Sequence, residues 1–302
     1  MSAAEDLSPR AGPRLSRRGL AGLFATGYAA YALAADAEPI VTDEAGLVTE
    51  ALRTGPEGLP LYVARPAARG RFPVVLVVNE VFGIHAYIKD VCRRFAKLGY
   101  LAVAPQLFFR ADPANELATI TDFAQIQKLV ATARNEQVMG DLAATLAWAR
   151  AQPFADARRI AITGFCWGGA VVWMAAARFP EIKAGAAWYG RLAAPKPGQF
   201  MSDDQRPWPL DVAAQLRAPV LGLYGGKDTG IPQADVEAMR ARLREAGKLG
   251  SDIVWYPDAA HGFHADYRAT YNAADAQDGW ARLLVHFRAH GAAPGARRGL
   301  FG

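Results

Sequence analysis

Cysteine is scarce in this chain, which has only Cys92 and Cys166 among 302 residues. So few cysteines exclude a small domain held together by several disulfides, and the two lie in unlike contexts, a helix-like pattern and a glycine-flanked turn. Neither sign of charge dominates, because the net charge is only +5 and the arginines are scattered, with a higher density at the two ends. No basic stripe is interleaved with aromatic residues, so we expect no nucleic-acid partner.

Long apolar runs are missing as well. The mildly apolar stretch 19–33 is shorter and weaker than the roughly 20 residues that span a bilayer, so we expect no permanent membrane span. It follows Arg17-Arg18 and precedes small residues around Ala35, a layout that resembles a twin-arginine export signal. We therefore expect residues 1–37 to be a signal and the protein to be periplasmic; a cytoplasmic protein with a disordered or amphipathic tail is the alternative.

The rest of the chain alternates β-rich runs with longer helix-like segments. The continuous apolar run 72–80 is typical of a strand covered on both faces, and similar runs recur after each helical pattern. This alternation predicts a doubly wound, mostly parallel α/β sheet with helices on both faces and no large lid domain. Residues 58–66 predict an added antiparallel edge strand, 38–290 a single domain, and 291–302 a disordered tail.

The stretch "GFCWGG" at 164–169 follows a predicted strand and opens a predicted helix. In that context a G-x-nucleophile-x-G pattern indicates a nucleophile, because a sharp turn between strand and helix presents its central residue outward. Here the central residue is Cys166, at a helix N-terminus whose partial positive charge favours a thiolate. The plain structural alternative is a small buried cysteine beside a tight turn.

Two further residues complete a nucleophile, acid and base in that order along the chain. Asp228 ends one predicted strand and His261 follows the last, which is the order of an α/β-hydrolase triad. Asp258 is the rival acid and His264 the rival base. His261 and His264 also have a spacing that metal ligands use, but no third ligand cluster accompanies them, so we expect neither a metal nor another cofactor.

Glu80 closes the first long apolar strand, where a charged side chain is costly unless it is paired or solvated. In an α/β-hydrolase the loop at this point supplies one backbone donor to the oxyanion hole, and the residue after the nucleophile supplies the other. We therefore predict the backbone N–H groups of Val81 and Trp167 as oxyanion donors.

Five motifs in order, "NEVFGIH", "PQLFFR", "GFCWGG", "GGKDTGIP" and "AAHGF", together resemble the dienelactone hydrolase family, over residues 45–290. The resemblance implies an α/β-hydrolase fold, with Cys166, Asp228 and His261 as the triad. It also implies that Glu80 takes part in activating the thiol by accepting its proton.

The resemblance further implies two arginines that hold a substrate carboxylate. Arg110 in "LFFR" matches the first, but Ala265 stands where the second should fall, with Arg268 nearby and out of register. We predict Arg110, Phe108, Trp188 and Arg268 as substrate contacts.

A cysteine nucleophile narrows the substrate class. Thiolate is a good leaving group, so its adduct with a plain alkyl ester tends to revert, whereas opening an enol lactone releases a stabilised enolate. We therefore expect hydrolysis of an activated ester or enol lactone through a Cys166 acyl-thioenzyme. The alternatives are an exported esterase or thioesterase of broad specificity and a non-catalytic binding protein on the same fold.

Overall fold

One eight-stranded sheet forms the centre of the residues that the computed structural model describes, 38–197 and 206–295. The export signal predicted at 1–37 lies outside them. The strands are β1 (Leu47–Thr54), β2 (Leu59–Pro66), β3 (Phe72–Val78), β4 (Leu101–Pro105), β5 (Ala155–Phe165), β6 (Ile182–Trp188), β7 (Val220–Gly225) and β8 (Asp252–Tyr256).

The sheet order is β1-β2-β4-β3-β5-β6-β7-β8. Strands β3 to β8 run parallel, while β1 and β2 pair antiparallel at one edge, as the sequence predicted. Every residue of β3 after Phe72 is buried, which is why this strand reads as a continuous apolar run. The carboxyl ends of the parallel strands meet at one edge, where ligands bind in sheets of this kind.

The helices are α1 (Ala86–Lys97), α2 (Phe123–Val130), α3 (Asn135–Ala151), α4 (Trp167–Arg178), α5 (Pro209–Val212), α6 (Gln233–Glu245) and α7 (Ala273–Ala289). Helix α2 begins at an Asp122 cap, whose carboxylate accepts a hydrogen bond from the amide of Ala124. Residues 131–134 separate α2 from α3. Within the described ranges, no helix combines the length and apolar character needed to cross a membrane.

The start of the predicted disordered tail is ordered instead. Ala292 is fully buried, and the carbonyl of Ala293 accepts a hydrogen bond of 3.0 Å from Nη1 of Arg159. Gly291, at φ 73°, ends α7 and turns the chain back onto the sheet. The packed region therefore extends beyond residue 290, and the prediction for 296–302 falls outside the described residues.

Candidate active site

Cys166 lies on the turn between β5 and α4, with φ 55° and ψ −118°. A non-glycine residue in this region is strained, and the surrounding packing must hold it there. A Cβ atom on Gly164 would lie 2.3 Å from the carbonyl oxygen of Gly168, and one on Gly168 would lie 2.5 Å from that of Val78. The glycines of "GFCWGG" are therefore required by close backbone approach.

The turn is fixed to the neighbouring strand as well. The amide of Cys166 donates a hydrogen bond of 3.0 Å to the carbonyl of Trp188, and its carbonyl accepts one of 2.9 Å from Gly169. Cys166 caps the N-terminus of α4. The partial positive charge of that helix end favours a negative charge on Sγ.

His261 and Asp228 come together near Cys166. Nδ1 of His261 lies 2.7 Å from Oδ2 of Asp228, while Oδ1 accepts a hydrogen bond of 2.8 Å from the amide of Gly230. Burial lowers the pKa of His261, but the charge of Cys166 and the hydrogen bond to Asp228 raise it more, to about 10. This environment stabilises the protonated, imidazolium form of His261.

The rival acid and base lie elsewhere. Asp258 is exposed and pairs with Lys227 at 2.8 Å. His264 is buried, and its Nδ1 lies 2.6 Å from the hydroxyl of Tyr87. Burial lowers the pKa of His264 to about 3, so it is a neutral core residue. No group of three metal-ligating side chains occurs within residues 38–197 and 206–295.

Glu80 is fully buried at the carboxyl end of β3 and is held by three side chains. The hydroxyl of Tyr267 donates a hydrogen bond of 2.6 Å to Oε2, Nε2 of His85 lies 3.5 Å from the same oxygen, and Nη2 of Arg268 lies 3.4 Å from Oε1. Burial raises the pKa of Glu80, but Arg268, His85 and Tyr267 together lower it to about 2. Glu80 is therefore a buried carboxylate.

Cys166, Asp228, His261 and Arg268 line a cavity of about 380 Å³. Val81 and Trp167 also line it, and neither backbone N–H donates a hydrogen bond to another described backbone group. The lining consists of Val81, Phe82, Phe123, Gln127, Cys166, Trp167, Ala170, Tyr189, Arg191, Arg206, Trp208, Asp228, Thr229, Gly230, Ile231, His261 and Arg268.

The structure does not bring Arg110 to this cavity, contrary to the prediction that it contacts substrate. Its Nη1 and Nη2 lie 2.8 and 2.9 Å from the two carboxylate oxygens of Asp141 on α3. Its Nε donates a hydrogen bond of 2.8 Å to Glu57. All three guanidinium nitrogens of Arg110 thus have carboxylate partners, so this placement does not support a role in substrate binding.

Phe108 and Trp188 also lie outside the cavity lining. The ring of Phe108 packs against that of Trp167, with 4.7 Å between ring centroids. Trp188 is fully buried, and its Nε1 donates a hydrogen bond of 3.2 Å to Thr163. Both predicted contacts are corrected to core residues that support the cavity wall.

Arg268 does reach the cavity despite its position in the sequence. Two successive turns shorten the path after His261, because the amide of Ala265 bonds to the carbonyl of Gly262 and that of Arg268 to the carbonyl of Ala265. Gly262, at φ 79°, leaves room for the arginine, since a Cβ there would lie 2.9 Å from Cδ of Arg268. The position of Arg268 at the cavity follows from the geometry of these two turns and not from its spacing in the sequence.

Sequence reasoning missed other residues at the site. Tyr267 and His85 hold Glu80, while Arg191, Arg206 and Trp208 line the cavity. The last three come from the proline-rich stretch between β6 and β7. That composition indicates a loop, but it does not tell which side chains turn inward.

Comparisons with known proteins identify the family. The model of the dienelactone hydrolase family matches residues 59–291. A protein of Methylorubrum extorquens named "Putative carboxymethylenebutenolidase" is 48% identical over 284 residues, covering 92% of this chain and 94% of the relative. One of the same name from Escherichia coli K12 is 47% identical over 236 residues, covering 78% and 84%.

Among solved structures, one titled as a putative dienelactone hydrolase from Klebsiella pneumoniae has a TM-score of 0.73 and 45% identity, covering 80% of this chain and 98% of that one. A dienelactone hydrolase-like phosphotriesterase from metagenomic libraries has a TM-score of 0.66 at 20% identity, with 81% and 99% covered, and so supports the fold alone. The fold is that of an α/β-hydrolase. The chain belongs to the dienelactone hydrolase family, and it is a hydrolase.

Proposed function

We propose that this hydrolase opens activated esters, enol lactones above all, through an acyl-thioenzyme on Cys166. The observation that carries the proposal is the nucleophile arrangement. A strained turn holds Cys166 at a helix N-terminus beside an imidazole whose other nitrogen is 2.7 Å from Asp228. This arrangement supports covalent acyl transfer with Cys166 as nucleophile, His261 as base and Asp228 as orienting acid.

The first half of the reaction forms the acyl-enzyme. The Cys166 thiolate attacks the lactone carbonyl carbon, and the backbone N–H groups of Val81 and Trp167 donate hydrogen bonds to the resulting oxyanion. Collapse of this intermediate breaks the ring C–O bond and leaves a thioester. The enolate that departs takes its proton from the His261 imidazolium and becomes the enol.

The second half returns the enzyme to its starting state. Neutral His261 removes a proton from water, the hydroxide attacks the thioester carbonyl, and the carbon–sulfur bond breaks to release a carboxylic acid and the thiolate. Asp228 holds the imidazole in one orientation through both halves. The net reaction consumes one water for each ring opened.

Glu80 assists this chemistry where Cys166 rests as a thiol: it accepts the thiol proton when substrate disturbs the resting arrangement, and the proton then passes to His261, which gives the thiolate and imidazolium from which the first half begins. At rest its carboxylate is bonded to Tyr267 and lies 3.4 Å from Arg268. Arg268 also lies near enough to Cys166 for the two charges to interact. Displacing the guanidinium from Glu80 would raise the basicity of its carboxylate.

A panel of substrates tests the reaction class. We expect kcat/KM for an enol lactone to exceed that for the saturated lactone of the same ring size by at least about 100-fold, a difference of about 3 kcal/mol in the barrier. The reason is that the tetrahedral adduct with an alkoxide leaving group expels sulfur first. Steady-state rates on both lactones and on the matching open-chain alkyl ester decide the point. Equal rates on all three would favour the broad-specificity esterase, and no turnover of any would favour a binding protein.

We also propose that the protein is exported to the periplasm by the Arg17-Arg18 signal. The support is the order of twin arginine, short apolar stretch and small residues in the sequence. N-terminal sequencing of protein recovered from periplasmic extract should begin near residue 35 to 38. An intact N-terminus in the cytoplasmic fraction would contradict export.

A further inference from the structure

Tyr189 follows β6 directly and is held in a strained backbone conformation. It is fully buried, and its φ of 40° is rare for a residue with a bulky side chain. Its amide donates a hydrogen bond of 2.8 Å to the carbonyl of Leu223 on β7. A Cβ on the next residue, Gly190, would lie only 2.3 Å from the amide nitrogen of Ala170 on α4. The chain is therefore fixed on both sides of Tyr189, and strain of this kind collects at functional sites.

The ring of Tyr189 packs against the imidazole of His261. The two ring centroids lie 5.2 Å apart, with an angle of 64° between the ring planes. Tyr189 also lines the cavity together with Cys166 and Arg268. This tyrosine therefore belongs to the part of the site where the thiol proton moves.

The hydroxyl of Tyr189 is a buried polar group that makes no hydrogen bond of good geometry with the residues that the structure describes. The hydroxyl of Tyr87 is near enough to lower the pKa of Tyr189, but it lies 2.6 Å from Nδ1 of His264 and is engaged there. A buried hydroxyl without a good partner costs free energy in the resting protein. Such a group calls for an explanation, and a catalytic step in which it gains a partner is one.

Glu80 supplies a second oxygen of the same kind. Its Oε1 forms no hydrogen bond with the described residues, although Nη2 of Arg268 lies 3.4 Å away. Burial raises the pKa of the Tyr189 hydroxyl, and the nearby Glu80 carboxylate raises it further. Tyr189 therefore keeps its own proton, and the two oxygens belong to side chains close enough to interact.

A protonated Glu80 needs a hydrogen-bond acceptor, because a carboxylic acid carries an O–H donor. The hydroxyl of Tyr267 donates to Oε2 at 2.6 Å and accepts from Nε of Arg268 at 3.1 Å. Nε2 of His85 lies 3.5 Å from the same Oε2. A proton on Oε1 therefore faces Arg268, and a guanidinium group has donors only.

We propose that the hydroxyl oxygen of Tyr189 accepts the hydrogen bond from Oε1 of Glu80 once Glu80 has taken the thiol proton. Substrate first displaces the guanidinium of Arg268. The S–H bond of Cys166 then breaks, sulfur keeps the electron pair, and the new O–H on Glu80 donates to Tyr189 until the proton passes to His261. Tyr189 is thus a positioning residue that acts through Glu80, and the inference rests on the function proposed above.

The first test removes only the hydroxyl. Tyr189→Phe should lower kcat/KM on an enol lactone about tenfold, yet the free energy of unfolding should not fall, since the hydroxyl has no good partner at rest. Tyr267→Phe should lower both, because its hydroxyl bonds to Glu80 in the resting protein. Tyr100→Phe is the matched control; Tyr100 is buried just before β4, at the amino end of the parallel strands, and its variant should keep the wild-type rate. A wild-type rate for Tyr189→Phe would overturn the proposal.

A double variant separates this role from packing. Glu80→Gln has no carboxylate to take the thiol proton, so adding Tyr189→Phe to it should cause no further loss of kcat/KM. A further tenfold loss would mean that Tyr189 acts independently of Glu80, which contradicts the proposed role.

The second test is independent of turnover. Arg268→Gln removes the cation that opposes the effect of burial on Glu80, so the pKa of Glu80 should rise from about 2 into a range that can be titrated. Infrared difference spectra follow the C=O band of the carboxylic acid, and Glu80→Gln in the same background assigns that band. Adding Tyr189→Phe should lower this pKa by about 1, because the protonated form loses its acceptor. Adding Tyr100→Phe should leave it unchanged.

The sign of the pKa change decides the role of Tyr189. A pKa of Glu80 that stays the same or rises in Tyr189→Phe overturns the proposal, since a rise would mean that the hydroxyl donates to the carboxylate instead. Failure of the wild type to open the enol lactone would contradict the proposed reaction, and the pKa comparison would still decide whether Tyr189 accepts from Glu80.

Discussion

Cys166→Ala should lower kcat on an enol lactone by about 10⁴-fold or more, because removal of a covalent nucleophile leaves only binding and the oxyanion donors. The variant should fold normally, since alanine adds no atom to the crowded turn between β5 and α4. Its His261 should also titrate at lower pH, because the charge of Cys166 is the largest influence that raises the pKa of this imidazole. Turnover assays and an NMR titration of His261 measure the two effects.

The second cysteine supplies the control. Cys92 is fully buried in α1, and burial raises the pKa of its thiol, so it is unreactive. Cys92→Ala should cost some stability through the small cavity it leaves, yet retain turnover and the titration of His261. If Cys166→Ala kept more than a few per cent of wild-type kcat while Cys92→Ala lost it, the nucleophile would be wrongly assigned.

Glu80→Gln should lower both stability and activity. The substitution keeps the shape of the side chain but leaves Arg268, whose side chain is only 14% exposed, beside a neutral amide. Removing one partner of a buried ion pair costs about 3–5 kcal/mol, so the free energy of unfolding should fall by about that amount. We also expect kcat/KM to fall by about 100-fold, as the thiol loses its proton acceptor. Urea unfolding and steady-state kinetics measure the two losses.

The stability difference between wild type and Glu80→Gln should depend on pH in one direction. The pKa of Glu80 is lowered to about 2 in the folded protein, against 4.5 when unperturbed. The carboxylate therefore contributes its full stabilisation above about pH 5 and loses it as the pH falls from 4.5 towards 2.

Glu57→Gln is the matched control for this pair of measurements. Glu57 is exposed and pairs with Arg110 on the surface, so its loss should change stability little at any pH. A Glu80→Gln variant as stable and as active as Glu57→Gln would contradict the role of the buried carboxylate.

The sheet and its edge strands were predictable because buried strands appear in the sequence as apolar runs. Strand β3 reads as a continuous apolar run since helices and neighbouring strands cover it, and the run ends at Glu80, where the sheet edge begins. The turn at Cys166 was equally predictable from the sequence, because backbone crowding requires glycine at fixed positions around it. The pairing of Asp228 with His261 agrees with the order expected from the strand ends.

The substrate-facing residues were harder to predict, because long side chains can serve either a pocket or a distant partner. Arg110 turns towards Asp141, which belongs to a helix that begins 25 residues later in the chain, and no local pattern encodes that pairing. Arg268 reaches the site through two consecutive turns that close the three-residue offset from Ala265. Arg191 and Arg206 enter the cavity from a loop whose composition predicts only that it is a loop.

The most direct test of the account is mass spectrometry of the enzyme quenched in acid during turnover of an enol lactone. We expect the intact mass to rise by the mass of one lactone, and peptide mapping to place that addition on Cys166 as a thioester that hydroxylamine removes. Turnover at the wild-type rate with no adduct on Cys166, or with the adduct on another residue, would contradict the acyl-thioenzyme mechanism.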